Sequence, residues 1–264
     1  MSKQKFQIVY LSHGGGPLPI LGDSSHKAMI EFMKKLPKLL TKPKLIIVIS
    51  AHWEEDIPTI IGEEEPKLFY DYYGFPQQAY ELTYPAKGSP QSAKYILDML
   101  KEKGIQSRID LERGFDHGMF IPLKLMYPKA DIPCIQISLK EGLDPSFHVE
   151  MGKALKKLLD NNTLIIGSGF SFHNTMVFSQ EENTTDTSND DFQNWLIDTT
   201  TKKMPQGVRE NRLINWEQAP HARYCHPREE HLLPLHVCTG LAGREGSIVF
   251  DNKILGKRSI AVAW

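Results

Sequence analysis

The strongest constraint on the fold is a set of short apolar runs without polar alternation. "QIVYLSH" (7–13), "KLIIVISAH" (44–52) and "TLIIGSG" (163–169) carry Ile, Val and Leu at consecutive positions. A strand with one wet face alternates. A strand with both faces buried does not, so a chain holding several must cover both sides of a sheet. "IPTIIG" (57–62), "IPCIQISL" (132–139) and "SIVFDN" (247–252) read as further strands, and "SIAVAW" (259–264) as one closing the sheet at an edge.

The cover is supplied by segments of helical spacing between the strands. "SSHKAMIEFMKKLPKLL" (24–40) repeats apolar residues at Ala28, Phe32, Leu36 and Leu39. "SPQSAKYILDMLKEKG" (89–104) has Ser89 as N-cap, Pro90 at the first helical position and Gly104 just past the end. "HVEMGKALKKLLDNN" (148–162) and "DDFQNWLIDTTTKK" (190–203) complete the set, and the polar "QEENTTDTSNDD" (180–191) reads as a surface loop. The expectation is an α/β fold: a single domain over residues 1–264, with a central mostly parallel or mixed sheet flanked by helices on both faces.

Composition narrows the function classes. A net charge of −1 over 264 residues favours neither nucleic acid nor an anionic membrane as partner. Cys134, Cys225 and Cys238 are too few and scattered for a disulfide framework and suit reduced thiols. Neither a cationic-then-apolar leader nor an apolar run of membrane-spanning length is apparent, so the expected location is cytoplasmic.

The ten histidines carry more information. In open α/β sheets ligands bind beyond the carboxyl ends of the strands. His13, His52 and His173 each stand at or just past such an end, and neutral imidazole is a common transition-metal ligand. Each alone reads as structural; their shared position points to a joint metal or catalytic site. In "GFDHGMFIPLKLMYP" (114–128), Asp116 can be an N-cap, and His117 either part of that helix start or a donor to a developing oxyanion. In "APHARYCHPREEHLLPLHV" (219–237) a helix is expected to begin near His226 and Pro227, placing His231 and Leu235 on one face. Glu229 and Glu230 then fall in its first turn, where capping and metal ligation are both open, and Pro234 would bend or shorten it.

The glycines of "LSHGGGPLPILGD" (11–23) do not make a phosphate cradle. Pro17 and Pro19 interrupt any helix that would open there, and no Lys-Ser/Thr pair follows. They read instead as clearance beside His13.

Taken together, "SHGGGP", "SAHW", "YDYYGFPQQAYELTYPAKGSP", "GFDHGMFIPLKLMYPKADIPCIQISL", "GSGFSFHN" and "HPREEHLLPLHV" resemble the LigB-type (class III) extradiol ring-cleavage dioxygenases, with the 4,5-DOPA extradiol dioxygenase branch most similar. The blocks run in family order from about residue 11 to residue 243. The resemblance implies a mononuclear metal at the strand ends, with His13, His52 and His231 as ligands and Glu230 adjacent to the third. It implies His173 as the acid/base and His117 as a second active-site histidine near substrate and oxygen. Fe(II) would serve turnover, and Zn(II) could occupy the same site. The partners implied are a DOPA-like catechol and O2, opened to a semialdehyde. For the rest of the substrate, Tyr73 and Phe75 in the aromatic stretch 69–80 are expected as a wall or lid. Arg223 and Arg228, either of them a cation for a carboxylate, and His226 lie near the histidine cluster.

One departure bears on substrate. The family's first block commonly reads H-G-[ST]-P, whereas here His13-Gly14-Gly15-Gly16-Pro17 carries an extra glycine that can alter the pocket mouth. Two other functions remain compatible with the residues. One is a zinc hydrolase using His13, His52 and His231 with a metal-bound water. The other is a non-catalytic binding protein like the Memo proteins, which resemble the superfamily in fold.

Overall fold

The structure is a computed structural model describing residues 5–178 and 185–264. Among the described residues eight strands form one sheet: β1 (Ile8–Ser12), β2 (Leu45–Glu55), β3 (Thr59–Ile61), β4 (Arg108–Asp110), β5 (Cys134–Lys140), β6 (Thr163–Gly169), β7 (Ser247–Ile254) and β8 (Lys257–Ala263). Their order is β4-β3-β5-β2-β6-β1-β8-β7. β5, β2, β6 and β1 are mutually parallel, while β3–β5, β1–β8 and β8–β7 are antiparallel. The unalternated runs are therefore the buried centre of a mixed sheet. Ile8 and Tyr10 of β1, Ile47 and Ile49 of β2 and Ile165 of β6 pack into one core. Their neighbours Val9, Leu11, Ile46, Val48, Leu164 and Ile166 pack into the other. Burying both faces supplies most of the stabilisation, at roughly 1.5–3 kcal/mol per large apolar side chain.

Helices cover both faces. The helix Pro90–Glu102 is bounded as its sequence predicts: the Ser89 hydroxyl accepts from the Ser92 amide, and Gly104 takes a φ of +73°. The segment 24–40 is an α-helix only over Lys27–Lys35, with 3-10 turns at either side. Residues 148–162 divide into the helix Pro145–Ala154 and the 3-10 turn Lys156–Asn161. No helix among the described residues is long and apolar enough to cross a membrane.

Several expectations are corrected. β8 is not an edge strand; β7 is. Leu255 and Gly256 both take positive φ, which makes a tight hairpin that folds β7 outside β8. The polar stretch expected as a loop over 180–191 is helical from residue 187. The helix Thr187–Thr201 starts early because Asp186 accepts from the Asn189 amide as its N-cap; part of the expected loop lies outside the described residues. A strand Arg108–Asp110 and a helix Gln206–Ile214 were not foreseen. No helix starts near His226 and Pro227: residues 227–232 are turns, and the helix begins at Leu233 with Pro234 in its first turn. Proline lacks the N–H and clashes one turn back, so the first turn is where it fits without cost. His231 and Leu235 consequently share no helical face.

Candidate active site

The carboxyl ends of three parallel strands converge. His13 follows β1, and its amide donates to the Gly169 carbonyl at the end of β6, 3.1 Å away. His52 lies on β2, at the irregularity where the register against β5 shifts between Ile49 and Glu54. His231 comes from the turns before the helix Leu233–Ala242. Its carbonyl is pinned by the Phe170 amide at 3.0 Å and the Tyr10 hydroxyl at 2.9 Å. Gly169 makes this possible, because a Cβ there would overlap the His231 carbonyl oxygen.

The three imidazoles meet through their Nε2 atoms. His13 Nε2 lies 3.0 Å, and His231 Nε2 3.2 Å, from His52 Nε2. The opposite nitrogens are spoken for. The Ser168 hydroxyl donates to the Gly118 carbonyl, so at 3.0 Å it accepts from His13 Nδ1–H. His231 Nδ1 donates to Glu230 Oε1 at 2.9 Å. His52 Nδ1 faces Asp71 Oδ2 at 3.5 Å. A carboxylate only accepts. With Nδ1 protonated on each ring, three Nε2 lone pairs point at a common space. A proton moved to His52 Nε2 would bridge to one neighbour only and turn a lone pair toward Asp71. Three bare nitrogens facing one another, each backed by a carboxylate or hydroxyl, form a group that could hold a transition-metal ion.

Electrostatics agree. Burial first, then repulsion among the imidazoles, holds His13 and His231 well below the usual histidine range. Burial and the adjacent His117 push His52 down to about 3. All three are thus neutral at physiological pH, as ligation requires.

Two further histidines border the trio. His173 stacks on His231 with ring centroids 3.4 Å apart, and its Nδ1 lies 3.3 Å from the same Glu230 oxygen. His117 opens the helix His117–Met126, with its ring centroid 3.9 Å from that of His52. Asp116 occupies the N-cap position but does not cap. Its carboxylate accepts from Ser50 at 2.8 Å and from Gln136, fastening the helix start to the sheet. Asp71 accepts from both the backbone N–H and Nδ1 of His117, at 3.0 and 2.7 Å.

The expected substrate contacts fare unevenly. Phe75 packs against Tyr72, whose ring in turn meets His117 at 5.8 Å, so this part of the aromatic loop does border the site. Tyr73 is 92% exposed and points into solvent. Arg223 is bound to Glu217 and Glu229 and lies over the Trp216 ring. His226 is corrected outright: it is fully buried between Phe192 and Trp216, with Nε2 donating to the Ser171 carbonyl at 3.0 Å. The opening glycines are also revised. A Cβ on Gly14 would strike Pro19, His26 and Met29 rather than a ligand, and Gly16 faces Phe75. A surface cleft of about 460 Å³ lined by Ser24, Lys27, Glu31 and Asn252 includes none of these histidines and gathers no comparable chemistry.

Asp71 and Ser168 were missed as site residues. The only signal for Asp71 was a lone carboxylate within "FYDYYGF"; Ser168 lay in the strand-end segment already singled out, but a serine there has many structural uses.

The family model for the catalytic LigB subunit of aromatic ring-opening dioxygenase matches residues 8–260. The chain belongs to this family. It is 39% identical to "Dioxygenase tasH" of Hapsidospora irregularis over 97% of this chain and 85% of that protein. It is 38% identical to the 4,5-DOPA dioxygenase extradiol of Beta vulgaris, covering 90% and 87%. Among solved structures, an uncharacterized Escherichia coli K12 protein, JW3007, superposes with a TM-score of 0.79 at 27% identity, covering 98% of this chain and 99% of that one. This LigB-family protein is accordingly an extradiol dioxygenase, an enzyme for a small aromatic substrate and O2.

Proposed function

We propose that the protein, acting as one catalytic domain over residues 1–264, is a metal-dependent dioxygenase that opens a DOPA-like catechol beside its diol to a semialdehyde. The observation that supports this most is the convergence of three Nε2 lone pairs from His13, His52 and His231, the residues we assign to hold Fe(II). Bound there, Fe(II) would supply open coordination positions for substrate and O2 and the redox capacity that O2 chemistry needs. Zn(II) suits the same donors but has no redox chemistry. The DOPA preference rests on relatives named 4,5-DOPA dioxygenase extradiol, at 32–38% identity.

The chain's own groups do the rest. Phe75 and Tyr72 wall the space and exclude water from the ring. His173, with Nδ1 toward Glu230, has Nε2 free to take a proton from a substrate hydroxyl and return it to the product side. Glu230, which contacts both His173 and His231, keeps the two rings stacked. The three buried free cysteines suit the reducing cytoplasm, where we place the reaction.

The test is anaerobic reconstitution of apoprotein with Fe(II) or Zn(II), followed by a catechol panel in air. Product absorbance in the visible range is expected from the Fe(II) sample alone. Equal product from both would overturn the assignment of iron chemistry.

A further inference from the structure

The sequence leaves His117 open as a donor toward oxygen, and the structure points the other way. Asp71 reaches His117 from the aromatic loop, 46 positions earlier in the chain. One carboxylate oxygen, Oδ1, accepts from both the backbone N–H and Nδ1 of His117. The other, Oδ2, is buried with no hydrogen-bond partner and lies 3.5 Å from His52 Nδ1. A carboxylate beside an imidazole nitrogen is satisfied only if that nitrogen carries the proton. With the backbone contact, Oδ1 holds His117 at two points, which ties the ring's orientation to the helix start.

We propose that Asp71 is the positioning residue that locks His117 in its Nδ1–H tautomer. Its Nε2 then meets the substrate as a hydrogen-bond acceptor, for a catechol hydroxyl, instead of a donor to oxygen. This rests on the catechol reading above. Among the described residues nothing else bonds His117 Nε2, and the ring lies against both His52 and the Tyr72 wall. The same carboxylate that orients His117 also backs His52. A single side chain therefore sets the spacing between a metal-holding ring and a substrate-holding ring, as Glu230 does for His231 and His173. The arrangement parallels the hydrolase triad, in which a buried aspartate holds a histidine tautomer without itself changing protonation.

The deciding measurement is long-range nitrogen–proton NMR on the full chain labelled with 15N-histidine, loaded with diamagnetic Zn(II). His117 signals are identified by their loss in His117→Gln. In the wild type Nδ1 should be protonated and Nε2 bare, whether or not any catechol is turned over. In Asp71→Ala the two nitrogens should average toward a tautomer mixture. With Fe(II) added to saturation, since Asp71 also backs His52 and its loss weakens metal affinity, kcat per bound iron should fall on the order of a hundredfold. A wild-type His117 protonated on Nε2 overturns the proposal, as does an Asp71→Ala protein with unchanged tautomer and kcat. Should Asp71→Ala not fold, the wild-type spectrum and Asp71→Asn decide. The asparagine keeps the backbone contact through its carbonyl but can present its amide to Nδ1, moving the proton to Nε2. If no catechol is opened by the Fe(II) form, the functional reading fails while the tautomer spectrum still judges Asp71.

Discussion

Acid should destabilise the metal-free protein, and two buried histidines outside the metal-holding trio carry much of the effect. His148 is buried. Its Nδ1–H donates to the Asp144 carbonyl at 2.7 Å and its Nε2 accepts the Lys140 amide at 3.2 Å. Protonation would remove that acceptor. His226 donates from Nε2 to the Ser171 carbonyl, while its buried Nδ1 has no partner to receive a new proton's hydrogen bond. Burial pushes His148 down to about 4 and His226 down to about 3. Both folded values lie below the unfolded value of about 6.5. The unfolded chain therefore takes up protons that the folded chain refuses. The stability they contribute is whole above about pH 6.5 and is lost as pH falls toward the folded values.

At pH 5 each group costs roughly 1.36 × 1.5, or about 2 kcal/mol, and the pair about 4 kcal/mol. Domains are stable by about 5–15 kcal/mol in total, so this is a large share. His26 and His236, also lowered by burial, add in the same direction. Asp71 and Glu230, whose burial is outweighed by bonds to His117 and His173, titrate below this window. The assay is urea unfolding in EDTA from pH 7.5 to 5, followed by the fluorescence of the four tryptophans. His148→Gln keeps a donor and an acceptor without titrating. It should flatten the pH dependence between 6 and 5 by about 1.4 kcal/mol per unit. A variant slope equal to wild type, or a wild-type stability flat from pH 7.5 to 5, refutes the reasoning.

Three other outcomes follow from the same geometry. Zn(II) at a hundred times its Kd should add about 2.7 kcal/mol of stability. In thermal melts that is a rise of about 5–10 °C, and His13→Ala should abolish both the rise and the bound metal measured by elemental analysis. Gly169→Ala should lose about 1–3 kcal/mol and weaken metal binding, since its methyl overlaps the His231 carbonyl; wild-type metal affinity in a folded variant would count against that close approach. Gly16→Ala puts a side chain at a φ of +56° with its Cβ 3.5 Å from Phe75. It should cost about 1–3 kcal/mol of strain and shift kcat/KM between small and bulky catechols at constant metal content, a ratio that steady-state kinetics reads directly.

The part of the site that rides on strands was legible, and the part set by loop meeting loop was not. His13, His52 and His173 could be placed because an unalternated run marks both a strand and its end. Parallel strands in register then bring those ends to one edge whatever the intervening chain does. His231 obeys a different rule. Its position follows from Pro234 starting a helix and from a missing Cβ at Gly169, so helical phase misplaced it and only the family resemblance named it. His226 looked equivalent to its neighbours by spacing, yet a turn of the chain sends it into the core against Phe192 and Trp216. Asp71 was least visible, because nothing local to an aromatic loop announces which distant imidazole its carboxylate will hold. Since tautomers decide which nitrogen faces the metal or substrate, these loop-borne carboxylates determine what the strand-borne histidines can do. Histidine positions alone therefore identify the site without specifying its chemistry; that requires the partner of every Nδ1.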